Sequence, residues 1–114
     1  MSQEEIFQIL GKAALKSVAN ISEWKEVILY IERQEKSIGF KSSYISVDDQ
    51  EIRVDTEADY FTSKAVKNLY DLTSKHPMKH KNWNKAKFIV DLENQFHIEY
   101  IWDQDWENEI NSFS

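Results

Sequence analysis

Three histidines and twenty carboxylates are the side chains of this sequence with the most to offer chemistry. His76 and His80 stand four residues apart, a spacing that would put two imidazoles on one helix face for a metal ion. Pro77 interrupts any such helix, and the chain has no Cys to complete a thiolate site. The pair therefore reads as part of a loop. His97 precedes Glu99 in a strand-like run, where cross-strand pairing is its expected role rather than proton transfer. The two glycines, Gly11 and Gly39, lie too far apart to form a phosphate-cradling loop, and no Ser sits in a nucleophile-elbow pattern. Paired carboxylates for glycoside hydrolysis exist in number, but they need a deep cleft that a domain this small rarely builds. The expectation is a protein without catalytic residues, cofactor or metal, and so one that works by binding.

The charge pattern says what it binds. Residues 48–59 hold six acids (Asp48, Asp49, Glu51, Asp55, Glu57 and Asp59) against Arg53 alone. From residue 91 onward come seven more (Asp91, Glu93, Glu99, Asp103, Asp105, Glu107 and Glu109) with no Lys or Arg among them. Between these blocks seven lysines face only Asp71, and the whole chain carries a net charge of -6. Taken singly, each acid is solubilising charge. As two blocks, the second interleaved with Trp102 and Trp106, they form an acidic surface with aromatic anchors that steers in and holds a basic partner. The same net charge argues against direct binding of nucleic acid or anionic lipid. One aromatic and basic stretch, Trp83 to Phe88, stands alone in this acidic context and reads as the entrance to a strand.

The elements that must position these residues follow from length and periodicity. At 114 residues the chain fits one α+β domain, 1–114, with a single core. Its longest apolar runs are far below the ~20 residues of a membrane-spanning helix, and its first residues lack the basic and apolar regions of a secretory signal. The absence of Cys suits a reducing compartment, so a cytoplasmic location is expected. Ser2 and Glu5 make a capping-box pattern ahead of a helix whose apolar residues include Ile6, Leu10, Ala13 and Ala14. From Trp24 the period changes to two, with Val27, Leu29 and Ile31 on one face of a strand and Ile28 and Tyr30 on the other. A polar turn at Arg33 to Lys36 leads to a second strand through Ile38, Phe40 and Tyr44. A turn at Asp48 and Asp49 leads to a short third strand at Ile52 and Val54. Phe61, Ala65, Leu69 and Leu72 then predict a second helix with Asp59 or Thr62 as N-cap, ending before Pro77.

The final hairpin is predicted from parity. Phe88, Val90 and Leu92 must share a face with Phe96, Ile98 and Tyr100, which a loop of Glu93, Asn94 and Gln95 achieves by opposing Leu92 to Phe96. Asn94 or Gln95 then takes the left-handed conformation. A short helix or tail from about Asp105 completes the chain, with Ile110 and Phe113 as docking residues. The resulting order, α-β-β-(β)-α-β-β, describes an antiparallel sheet of four or five strands with two main helices on one face.

Several stretches together resemble the YezG-like family of immunity proteins, small bacterial antitoxins that neutralise polymorphic secreted toxins, often nucleases. They are the first helix running into Ile21, Ser22, Glu23 and Trp24; the run Ala65 to Leu72; Trp83, Asn84, Lys85 and Ala86; and the ending Phe88 to Asp91 with Phe96 to Asp103. The order of elements matches over nearly the whole chain, although Glu93, Asn94 and Gln95 stand where such proteins often have an Asp-Gly turn. The resemblance implies an inhibitor that covers a cognate toxin C-terminal domain, a basic nuclease. The candidate contacts are Asp48, Asp49, Glu51, Asp55, Asp103 and Asp105, with Trp102 and Trp106 as anchors. The competing readings are an adaptor for a basic protein or peptide outside any toxin system, and a small hydrolase using two acids. The first shares every surface feature; the second requires a deep pocket holding a carboxylate of raised pKa.

Overall fold

The structure, a computed structural model, describes residues 1–74 and 82–112. His76, Pro77, His80 and Phe113, which carry the expectations for the basic loop and for part of the tail, lie outside the described residues. The elements run α1 (Gln3–Ser17), β1 (Glu26–Arg33), β2 (Ile38–Ile45), β3 (Glu51–Val54), α2 (Tyr60–Ser74), β4 (Lys85–Asp91), β5 (Phe96–Ile101) and α3 (Gln104–Asn111). The fold is the expected α+β arrangement. The Ser2 capping box is formed, its hydroxyl accepting from the Glu5 amide while the Glu5 carboxylate reaches back.

All five strands pair antiparallel in the order β3-β2-β1-β4-β5. β1 is central because it is apolar on both faces. Val27, Leu29 and Ile31 enter the main core, and Ile28 on the opposite face is still only 3% exposed. The sequence-distant β1–β4 pairing joins the two halves of the sheet, with Leu29 opposite Phe88 and Glu26 opposite Asp91. α1 and α2 cover one face. Ile6, Leu10, Ala13 and Ala14 from α1 and Ala65, Val66 and Leu69 from α2 meet Val27, Leu29, Phe88 and Val90 in one apolar cluster. Gly11 lets α1 approach the sheet closely, since a Cβ there would stand 2.7 Å from the Phe96 ring.

Two details differ from the sequence expectation. The last hairpin keeps the expected faces but is displaced by two residues: Val90 lies opposite Phe96 and Phe88 opposite Ile98, and Leu92 sits in the turn, 65% exposed. The cause is Asp91, whose carboxylate accepts from the amides of Glu93 and Gln95 and so ends the strand at that residue. Asn94 takes the left-handed conformation at φ 59°. On α2 the buried face is Thr62, Ala65, Val66, Leu69 and Thr73, whereas Phe61 points outward, 61% exposed. Both threonines are buried because their hydroxyls are bonded. Asp59 caps the helix through the Thr62 amide and hydroxyl, and Thr73 accepts from the Trp83 indole.

Candidate acidic interface

The sheet order decides where the two acidic blocks go. β3 and β5 are its two edges, separated by four strand spacings, roughly 19 Å. The candidate contacts in the two blocks also lie at opposite ends of the strands, although Asp91 and Glu93 of the second block stand at the Glu51 end. Glu51 is level with Ile45, Glu26 and Asp91, while Ile101 is level with Lys85 and Glu32. Asp48, Asp49, Glu51 and Asp55 therefore line one edge, and Trp102, Asp103, Asp105 and Trp106 occupy the diagonally opposite corner. The expectation that the two blocks fold into one shared docking site is corrected: a central β1 holds them apart.

The two corners spend their charges differently. At the β2–β3 corner, Asp49 has φ 64°, the left-handed position of a turn closed by the Asp49 amide donating to the Ser46 carbonyl, the Gln50 amide to the Ser46 hydroxyl and the Ser46 amide to the Gln50 carbonyl. Its carboxylate pairs with Lys25 at 2.6 Å. Glu51 accepts hydrogen bonds from Tyr30 and Ser43 on the sheet face away from the helices. Partial burial, followed by the bond to Glu51, holds the Tyr30 phenol above its ordinary pKa. Asp49 and Glu51 are thus engaged by the fold, though all four acids of this edge, with Asp48 and Asp55, are exposed.

At the C-terminal corner the chain leaves β5 through exposed Ile101 and Trp102, the latter 45% exposed with its indole N–H donating to Gln104. Asp103 caps α3 through the Trp106 amide and pairs with Lys85 at 3.0 Å. The amide bond first, and the Lys85 ammonium next, hold its carboxyl below the usual range. The same ammonium lies over the Trp106 ring, 4.9 Å from its centre, so Trp106 is a half-buried clamp on the sheet rather than a free anchor. Asp105 and Glu109 project into solvent, and α3 has no basic residue in its last turn.

One residue that sequence reasoning missed organises this corner. Asn84, only 1% exposed, accepts from the Asp103 amide and donates to the Asp103 carbonyl and the Glu107 carboxylate. Its side chain imitates one more backbone pairing and fixes the departure of α3 from the sheet. No local pattern marks such a residue, because its partners are about twenty positions away.

The sheet face opposite the helices is not an acidic surface. Lys41 pairs with Glu32 at 3.2 Å, Lys87 stands opposite Glu99, and His97 contacts Asp91 at 3.3 Å. Lys41, ahead of the first acidic block, and Lys87, from the basic segment between the blocks, thus offset acids on that face. Among the described residues, no three His, Asp or Glu side chains converge as a metal-ligand set, and no helix is long and apolar enough to cross a membrane. Compared with known proteins, the chain matches no family model and no curated sequence.

Proposed function

We propose that this protein is an immunity protein, an antitoxin that binds and neutralises a cognate bacterial toxin domain whose basic, phosphate-binding surface complements its acids. The contact is the C-terminal corner. The observation that carries this reading is the exposed pair Ile101 and Trp102 at the end of β5, set in a segment from Glu99 to Glu109 with five acids and no Lys or Arg. An exposed aromatic beside an aliphatic side chain supplies the apolar centre of a contact, and a rim of one charge sign accelerates capture of the opposite sign. The family resemblance supports a toxin as the partner, and the exposed pair with its acidic surroundings supports this corner as the contact. Asp59, Asp91 and Asp103 are held below the ordinary carboxylate value, opposite to the raised pKa that a general acid needs, so none of these three suits that role.

Capture of partners from the native cell on immobilised protein, with identification by mass spectrometry, tests the class of partner. A basic nuclease domain, together with growth protection when both are expressed, supports immunity. A basic housekeeping protein with no protection supports the adaptor reading. With the partner in hand, Trp102→Ala is expected to weaken binding by at least about tenfold, as for a central aromatic anchor. An unchanged affinity removes this corner from the interface.

A further inference from the structure

The five residues that follow β5 read the same in both directions: Trp102, Asp103, Gln104, Asp105, Trp106. Each Asp stands three residues from a Trp, so Asp103 is matched with Trp106 and Asp105 with Trp102. The inner pair holds a cation. The Lys85 ammonium lies 4.9 Å from the centre of the Trp106 ring and 3.0 Å from the Asp103 carboxylate, so ring and carboxylate share one positive charge. The outer pair faces solvent. Trp102 and Asp105 are both exposed, and among the described residues no Lys or Arg of this chain pairs with either. The Trp102 ring is nevertheless held in place. Its indole N–H donates to the Gln104 side chain at 2.9 Å, and the Gln104 amide donates to the Asn108 side chain at 2.9 Å. This relay ties the ring to the side of α3 that Gln104 and Asn108 share and uses the one polar group of the indole, so the ring offers a partner its π face. Asp105 and Glu109 follow those two residues on the adjoining strip of the helix, again one turn apart. As like charges at that spacing they repel, and α3 has no Lys or Arg to offset them.

We infer that Trp102 and Asp105 receive an arginine side chain of the partner, its guanidinium stacked on the indole and its N–H groups directed to the carboxylate, with Glu109 as the neighbouring charge. The inference rests on the reading of this corner as the contact and adds to it the chemical group recognised. Three observations select that group. The inner pair shows that this segment seats a cation between a Trp ring and an Asp carboxylate, and the outer pair repeats the spacing toward solvent. Elsewhere the fold stacks a guanidinium in the required way: Arg33 lies 3.5 Å from the centre of the Tyr70 ring while donating to the Trp83 carbonyl. A planar guanidinium can lie on a ring and still donate in its own plane to a carboxylate at the ring's edge, whereas a lysine ammonium is a strongly hydrated point charge. The third observation is the repulsion between Asp105 and Glu109, which a bound cation relieves and an apolar side chain would worsen by excluding water from both carboxylates.

A blocked Gly-Arg-Gly tripeptide tests the inference without the partner. Titrated into the isotope-labelled chain, it is expected to move the Trp102 indole and Asp105 side-chain resonances along one saturable curve at millimolar peptide, and to leave the Trp24 indole where it was. The lysine counterpart is expected to bind at least about threefold more weakly. The citrulline counterpart, which keeps the planar shape and loses the charge, is expected not to bind measurably. Both positions are exposed, so Trp102→Ala and Asp105→Asn leave the core intact. Asp105→Asn is expected to weaken the arginine peptide about threefold or more, and Trp102→Ala to abolish the response at Asp105. An arginine peptide that moves neither resonance overturns the inference. So do equal affinities for the arginine and lysine peptides, or an affinity that Asp105→Asn leaves unchanged. With the cognate partner the two possible failures separate. Partner affinity unchanged in Trp102→Ala removes this corner as the contact, and the inference with it. Affinity that falls in Trp102→Ala and holds in Asp105→Asn keeps the corner and overturns recognition of an arginine there.

Discussion

The β2–β3 corner and the C-terminal corner are both acidic in sequence and differ in structure. In the first, the Asp49 backbone makes the turn and its carboxylate holds Lys25, and Glu51 is bound by Tyr30 and Ser43. In the second, Asp103 caps a helix and pairs with Lys85, and Glu107 accepts from Asn84, while the helix carries Asp105 and Glu109 outward beside an exposed Trp102. Each corner spends two acids on the fold, Asp49 and Glu51 at the first and Asp103 and Glu107 at the second. The second sets its remaining acids beside an exposed Trp102. Charge counted along a sequence therefore overstates the available surface wherever carboxylates close turns or accept from neighbouring hydroxyls.

The largest expected effect that sharpens this contrast is at Asn84. Replacing it with Ala leaves the Asp103 amide and carbonyl without their buried partner. It is expected to destabilise the chain by about 2 kcal/mol in denaturant titration. Amide exchange in α3 is expected to accelerate more than exchange in β3. Equal acceleration at the two corners would show that Asn84 stabilises the sheet generally rather than docking α3.

A smaller effect is expected on filling the close approach of α1 to β5. Gly11→Ala must displace the Phe96 ring and is expected to cost about 1–3 kcal/mol, partly offset by the better helix propensity of Ala. The smallest effects are expected at the left-handed turn residues. Asn94→Gly relieves the backbone and is expected to raise stability by less than about 1 kcal/mol. Asp49→Gly is expected to gain less, because the Lys25 pair is lost. A larger gain at Asp49 would show that this ion pair contributes nothing.

Acid titration compares regions in another way. Asp59, Asp91 and Asp103 have folded pKa values below the ordinary carboxylate value, mainly through backbone amide bonds from Thr62, Gln95 and Trp106 respectively. For a depressed pKa the stabilisation is complete above the unfolded value, near 4, and is lost as pH falls through the folded one. Thermal unfolding is therefore expected to be insensitive to these groups at neutral pH and to move to lower temperature below about pH 4. In Asp91→Asn, part of that acid sensitivity is expected to disappear.

Much of the fold was legible in the sequence because its signals are local: the Ser2 capping box, the two-residue alternation of Val27, Leu29 and Ile31, and the turn at Asp48 and Asp49. What escaped was of three kinds. The displaced hairpin was hidden because Leu92 fits an apolar alternation, while the Asp91 carboxylate outweighs it by capping the turn. The buried face of α2 was misjudged because Thr62 and Thr73 look polar until their hydroxyls find Asp59 and Trp83. The separation of the acidic blocks depends on β1 pairing with β4 across most of the chain, a nonlocal choice that no short window contains. The candidate site was accordingly half legible: its acids and Trp102 stood out, and Asn84, the lysine over Trp106 and the split between corners did not.

The most direct measurement compares two charge reversals in their effect on capture of the cognate partner. Asp105 and Glu109, exposed on α3, would be changed to Lys in one protein, and Asp48 and Asp55 at the opposite corner in another, with association rates followed at low and physiological salt. The expected result is a slowing of about tenfold or more for the α3 reversal and a clearly smaller change for the other, both diminishing as salt is raised. Equal slowing, or a larger effect from Asp48 and Asp55, would contradict the assignment of the contact to the C-terminal corner.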